Sequence, residues 1–389
     1  MKIEEETVAL DIPPILDSST AERYIEELKR FQLEDVGTSA WMTQHAQIEQ
    51  LNIQAHQCAL MNHDEFVVEG ILTFRKLDFL IFDLLVIEAW KDFVFPLVKG
   101  QLAKNNTMRC YFILYHEATM MNLLEVLVFH KHVCEAAGEK LVELVDYLAR
   151  KLTKLNGGHD FRPLEPRESS ASEQAAILAS RSPLEELEYH YTEIEFKVCI
   201  SACSLLRFLC EHSDSLPLSV CSRIADTHDF LMLVIPLIEN PPWTRRISGK
   251  WLKFIEQKWV DVAPIDLLKV TKLEGQPWLS LYYLIAKKSF RERYSLTSFR
   301  KSQLLRVRKY LNEVLLDQLP FLADIQVIAD YLSVVSDFID PLRGTWMSSQ
   351  SLRPRRQPLV LVRFYLSKSQ SSVSAFLKAR IGPSLPNIS

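Results

Sequence analysis

The sequence predicts an all-α protein. It reads as an irregular helical array of the armadillo or HEAT kind, or as one large helical bundle, with a small β-hairpin near residues 250–262 as a candidate exception. Three observations lead there. Apolar residues recur three and four apart through most of residues 20–335. Glycine is scarce, 10 of 389 residues, which argues against a glycine-rich nucleotide fold and against a turn-rich sandwich. The rhythm is helix, short break, helix at intervals of about 20–40 residues, with no repeat of fixed spacing.

The elements follow in order. Residues 1–19 form an acidic, flexible N-terminus without the long apolar core of a signal peptide. A first helix is expected within residues 20–36, capped by Thr20, with Tyr24, Leu28 and Phe31 at helical spacing. Residues 39–60 continue the pattern through Trp41, His45, Ile48, Leu51 and Ala55, and 64–72 form a short segment. The stretch "KLDFLIFDLLVIEAWKDFVFPLV" (76–98) is the most apolar candidate, interrupted only by Asp78, Asp83, Glu88, Lys91 and Asp92. Such a helix is wrapped by neighbours on more than one side, and Pro96 ends it or starts a new turn. In "EKLVELVDYLARKLTKL" (139–155), Leu141, Leu144, Val145, Leu148, Leu152 and Leu155 make one stripe. Glu139, Lys140, Glu143, Arg150, Lys151 and Lys154 are expected to face away, and Gly157 and Gly158 to stop the helix.

Residues 156–183 are rich in Ser, Gly and Pro. They read as a linker or long surface loop between an N-terminal helical region (20–155) and a C-terminal one (184–335). Helices are expected at 184–213, around 216–235, 263–273, 277–291 and 298–318, and at 321–335. Aromatic and β-branched side chains crowd residues 249–262, so a hairpin is weighed against a helix there. From residue 336 a basic, Ser-rich tail is expected to be disordered: residues 341–389 hold eight Lys or Arg, ten Ser and no Asp or Glu.

The formal net charge is −4, so bulk charge implies no polyanionic partner. The short "RPRR" (353–356) is weak support for nucleic acid, and none is expected as a partner. No apolar stretch approaches the ~20 residues that span a bilayer, so no membrane insertion is expected. Seven scattered cysteines without CxxC spacing do not read as a disulfide framework. Cys199, Cys203 and Cys210 sit at helical spacing and read as small core residues.

The stretch "YHEATMMNLLEVLVFHKH" (115–132) contains His-Glu, the start of a zinc-peptidase motif. That motif needs a second His four residues after the first, and Met120 stands there. His116, His130 and His132 are therefore read as core or rim residues with hydrogen-bond partners. His190, Glu193 and Glu195 read as solvated helix residues. No GxGxxG, GxxxxGK[ST] or GxSxG occurs, so no catalytic residue, metal ligand or cofactor site is expected. The candidate protein-contact set is Trp243, Arg245, Arg246 and Trp251, because large aromatics and arginine are enriched at interface hot spots. The competing readings make the tryptophans ordinary core and the arginine pair a solvated loop.

Seven stretches carry more than composition. They include "WMTQHAQIEQLNIQAHQ" (41–57), "EAWKDFVFPL" (88–97), "YHEATMMNLLEVLVFHKHVCE" (115–135), "PPWTRRISGKWLKFIEQKWVDVAP" (241–264) and "YSLTSFRKSQLLRVRKYLNEVLLDQLP" (294–320). In order along the chain, they resemble the zinc finger MYND domain-containing protein 10 family, factors for cytoplasmic preassembly of axonemal dynein arms. The resemblance implies a helical adaptor or co-chaperone, not an enzyme, with no cofactor. It implies the cytoplasm of cells that build motile cilia, including their apical cytoplasm and centriolar satellites. Implied partners are Hsp70- and Hsp90-class chaperones, an FK506-binding immunophilin, a leucine-rich-repeat assembly factor, and axonemal dynein heavy and intermediate chains. Family members end in a MYND finger that holds two zinc ions through Cys and His. No cysteine follows Cys221 here, so no such finger is expected and no zinc ligand is carried over.

Overall fold

The computed structural model describes residues 15–335, except 105–107, 159–160, 162–180, 248 and 292–293. Residues 1–14 of the expected flexible N-terminus, most of the expected linker at 156–183 and all of the expected tail at 336–389 lie outside the described residues, whereas Ile15 and Leu16 donate to Gln54 and Ser18 already opens a helix, so that end of the expected flexible segment is tied down. The rest is mostly helical, an irregular array with one small open sheet.

Helix α1 (Ser18–Glu27) is capped by Asp17, not by Thr20, because the Asp17 carboxylate accepts from the Thr20 N–H at 2.9 Å. It stops well short of residue 36. The buried amide of Gln44 takes both backbone groups of Lys29, at 2.8 and 2.9 Å, so the chain there has a tertiary partner in place of a helical one. A short 3-10 turn (Leu33–Asp35) leads to Gly37, whose φ of +85° suits glycine. Helix α2 (Ser39–Met61) starts at the Thr38 cap and ends in left-handed Asn62. Helix α3 (Phe66–Thr73) then packs against α1 and α2.

Helix α4 (Leu77–Ala89) passes through a π-helical turn (Trp90–Val94) into α5 (Phe95–Lys104). Pro96 has no N–H to donate, and it follows the wider turn and opens the new helix. Helix α6 (Met108–Phe129) corrects one expectation. It is long and apolar enough to cross a bilayer by length and composition, but 72% of its apolar window is buried inside the protein. Helix α7 (Lys131–Ala137) leads to α8 (Leu141–Gly157), which left-handed Gly158 ends as expected.

Helix α9 (Pro183–Glu211) opens with a capping box between Ser182 and Glu185 and has Pro183 in its first turn. It packs on α5, α6 and α8 and later receives α12. After it come α10 (Leu218–Ser222), a π turn (Arg223–Thr227) and α11 (Phe230–Glu239).

Strands β1 (Thr244–Ile247), β2 (Lys250–Ile255) and β3 (Lys258–Val262) form an antiparallel meander in the order β1-β2-β3. The expected hairpin is β2–β3. Glu256 and Gln257 make its turn, with φ of 48° and 64°, the conformation of a two-residue hairpin loop. The third strand was not foreseen, and Arg245 and Arg246 lie on it and not in a loop. In place of the helix expected at 263–273 there is a 3-10 turn, Pro264–Leu268. Helices α12 (Lys272–Ala286), α13 (Lys288–Arg291), α14 (Ser298–Val307), α15 (Glu313–Gln318) and α16 (Ala323–Val335) complete the described chain. Buried side chains from Leu16 to Ile325 form one continuous apolar cluster.

Candidate functional site

His116 and Glu117 stand side by side on α6, and each is sequestered in a different polar cluster. Both ring nitrogens of His116 are engaged: Nε2 with Asp83 at 3.1 Å and Nδ1 with His45 Nδ1 at 2.8 Å. A carboxylate only accepts, so His116 Nε2 donates to Asp83 and Nδ1 is left to accept from His45. Burial and the neighbouring His116 push the His45 pKa down to about 3. His116 is thus a core histidine with partners, as the missing second ligand implied. His130 and His132 lie nearer the rim, facing Glu65 and Glu69 at 3.0 and 3.7 Å.

Glu117 enters a buried ion cluster that sequence reasoning missed. Its carboxylate accepts from Lys91, from Lys151 at 2.7 Å and from Tyr147 at 2.8 Å. Glu195 of α9 takes Lys91 at 2.6 Å, Lys151 at 2.9 Å and Lys154 at 3.2 Å. At the edge, Arg150 clasps Glu88 at 2.6 Å. Burial pushes the Glu195 carboxyl up, but Lys91, Lys151 and Lys154 outweigh it and hold it well below the usual range. Burial likewise pulls the Lys91 amine down, and Glu117 and Glu195 more than reverse it. Two expectations are corrected here. Lys151 does not face away from the core, and Glu195 is not solvated. Charge on a single helix defaults to solvent, but here five elements (α4, the π turn, α6, α8 and α9) converge and supply one another's counter-ions.

All seven cysteines are buried and free, and burial raises the thiol pKa of Cys199, Cys203 and Cys210. They serve as small core residues. Among the described residues, no group of three or more His, Cys, Asp or Glu is placed to hold a metal ion.

The four candidate contact residues all lie at the sheet, divided between its faces because strand side chains alternate. Arg245 turns toward α9, its guanidinium 5.5 Å from the Phe196 centroid. There Phe196 meets Phe254 at 5.2 Å and Trp259 at 5.7 Å between ring centroids. The Arg245 guanidinium lies over Trp259, 4.5 Å from its centroid. Trp243 is 2% exposed, so it is core and offers no surface to a partner.

Arg246 and Trp251 point the other way. They are cross-strand neighbours, with the guanidinium 5.5 Å from the indole centroid. Trp251 also pairs with Val262. A groove of about 460 Å³ runs between Trp251, Val262 and Pro264, with Lys250 and Asp261 on its rim. Lys253, two residues along β2 from Trp251, anchors the chain that follows Pro264. Its buried amine donates to the carbonyls of Leu267 and Lys269, both at 2.8 Å, and pairs with Glu274 at 3.0 Å. That clamp fixes the Pro264–Leu268 turn over the sheet and leaves Ile265 and Leu268 exposed. Neither was singled out from sequence, because isolated apolar residues default to core.

No protein-family model matches the chain, and no solved structure does. Among known proteins it is similar to the zinc finger MYND domain-containing protein 10 homolog of Drosophila melanogaster, with 29% identity over 312 residues, 80% of this chain and 67% of that protein. This is a distant homology, extended along most of the chain and supporting a family relation.

Proposed function

We propose that this protein is an adaptor in the cytoplasmic preassembly of inner and outer axonemal dynein arms for motile cilia, acting through protein–protein contact and not as an enzyme. The observation that carries the reading is the homology along 80% of the chain to a zinc finger MYND domain-containing protein 10 homolog. The outward Arg246–Trp251 pair, with Trp251 lining a groove, supports it, since aromatic and arginine side chains anchor interfaces. The partners in this reading are Hsp70- and Hsp90-class chaperones, an FK506-binding immunophilin, a leucine-rich-repeat assembly factor and the dynein heavy and intermediate chains. The helical body acts as their scaffold. Helix α9 touches α5, α6, α8 and α12, contacts that favour a bundle-like array over a strict armadillo or HEAT stack, where each repeat meets only its neighbours.

The test is a rescue-coupled pull-down. The tagged chain is expressed in multiciliated cells lacking their own copy, co-purifying proteins are identified, and dynein arms are scored. Chaperones and dynein chains are expected in the eluate, with arms restored. A folded, expressed chain that recovers no dynein-assembly partner refutes the reading.

A further inference from the structure

We propose that the groove between Trp251 and Pro264 receives a short linear segment of a partner protein in which an apolar anchor is flanked by carboxylates. The inference rests on the adaptor reading and specifies the chemistry of one partner. Val260 is 39%, Leu268 55% and Ile265 80% exposed. Val260 lies on β3 two residues before Val262, and Ile265 and Leu268 lie on the turn that begins at Pro264, so they continue along the chain from residues that line the groove. Exposed apolar side chains gathered beside a concavity mark interaction sites more often than chance scatter does.

Residues 244–262 hold five Lys or Arg against two Asp or Glu, within a chain whose net charge is −4. Two of the five cations are used internally: Arg245 on Trp259 and Lys253 on the turn carbonyls and Glu274. Lys250 faces Asp261 at 3.9 Å. Arg246 and Lys258 are exposed, and neither has an ion-pair partner among the described residues. A guanidinium stacked on an indole keeps its edge N–H groups free to grip a carboxylate in bidentate fashion. The indole also holds it in place beforehand, which lowers the entropic cost of binding.

The probe is a display library of short disordered peptides, selected on the purified full chain. Enriched peptides are expected to carry Leu, Phe, Trp or Pro beside Asp or Glu. The best peptide, followed by fluorescence anisotropy, is expected to bind about tenfold more weakly to Arg246→Glu and to Trp251→Ala. Both variants should melt within a degree or two of the parent, and Arg246→Glu, being exposed, guards against a folding defect at Trp251. The proposal is overturned by an absence of enrichment, by enriched peptides lacking acids, or by affinity that neither substitution changes. The cell experiment separates this failure from that of the adaptor reading. Arms restored by the doubly substituted chain would remove the groove and keep the assembly role. Acidic peptides selected without any rescue would do the reverse.

Discussion

Replacing Glu195 with Gln takes one negative charge out of the ion cluster and leaves its shape almost unchanged. In the parent protein Glu195 bonds Lys91, Lys151 and Lys154 at 2.6, 2.9 and 3.2 Å. After the change Lys91 keeps only Glu117, and Lys151 keeps Glu117 at 2.7 Å and Glu88 at 3.9 Å. Lys154 is part-exposed and can turn to water, whereas Lys91 and Lys151 cannot. Removing one partner of a buried pair costs about 3–5 kcal/mol, and the surviving Glu117 places this case at the lower end, about 3 kcal/mol. Urea denaturation followed by circular dichroism measures it. The pH dependence has a definite sign. Glu195 has a depressed folded pKa, so its contribution is fully present above the unfolded carboxylate range, about pH 4, and fades as pH falls through the lower folded value. The gap between parent and variant should therefore stay constant from neutral pH down to about pH 5 and close in stronger acid. Lys151→Met supplies the coupling test. The double variant should be less damaged than the two single losses added together, by about 1–3 kcal/mol. A single-variant loss below about 1 kcal/mol, or strict additivity, would refute the claim that these charges hold one another.

Three further predictions concern other sites. Burial pushes Glu125 up to about 7 despite Ser204 and Arg207, so the folded state resists its ionisation and the penalty grows as pH rises from about 4 to 7; Glu125→Gln should be neutral near pH 4 and stabilise by about 1–3 kcal/mol at pH 8, read from urea midpoints at both pH values. Gly37→Ala should destabilise by about 1–3 kcal/mol, because φ is +85° and the new Cβ would lie 2.8 Å from Ile113 Cδ1; an unchanged melting curve would contradict it. The buried cysteines, with Cys134 and Cys203 pushed up to about 12, should react negligibly with a thiol reagent at pH 8 in the native protein and fully in guanidinium.

What could be read from sequence was what one helix says about itself. The stripe from Leu141 to Leu155 needed no partner to be recognised, and the glycine pair marked its end. The misses come from partners far along the chain. Lys151 finds Glu195 across 44 residues and Lys91 finds it across 104, and no local pattern records either. Helix α1 ends early because Gln44, 15 residues on, binds the backbone of Lys29. At the sheet, crowded aromatic and β-branched side chains marked β2 and β3, but β1 is a four-residue strand with two arginines, and only pairing with β2 distinguishes it from a loop. The candidate contacts were divided for the same reason. Strand geometry sends Arg245 inward and Arg246 and Trp251 outward, a division that appears once the strand is known, and Trp243, just before β1, is buried.

The two polar features of the molecule meet on α9. Glu195 points into the ion cluster, and Phe196, the next residue, packs on Phe254 and Trp259 of the sheet. Consecutive helix residues project about 100° apart, so fixing one fixes the direction of the other. Three ammonium groups from the π turn and α8 hold Glu195, and that sets the rotation of α9 at the point where the sheet rests on it. The sheet in turn presents Arg246 and Trp251, while Lys253 fastens the turn that follows Pro264. A buried ion pair is a poor source of stability compared with apolar packing, yet it is selective about orientation, since a rotated helix would leave charges unpaired. On this reasoning the cluster's main contribution is to hold an exposed surface in one geometry, and its loss should be felt in binding at the groove before the helical body unfolds.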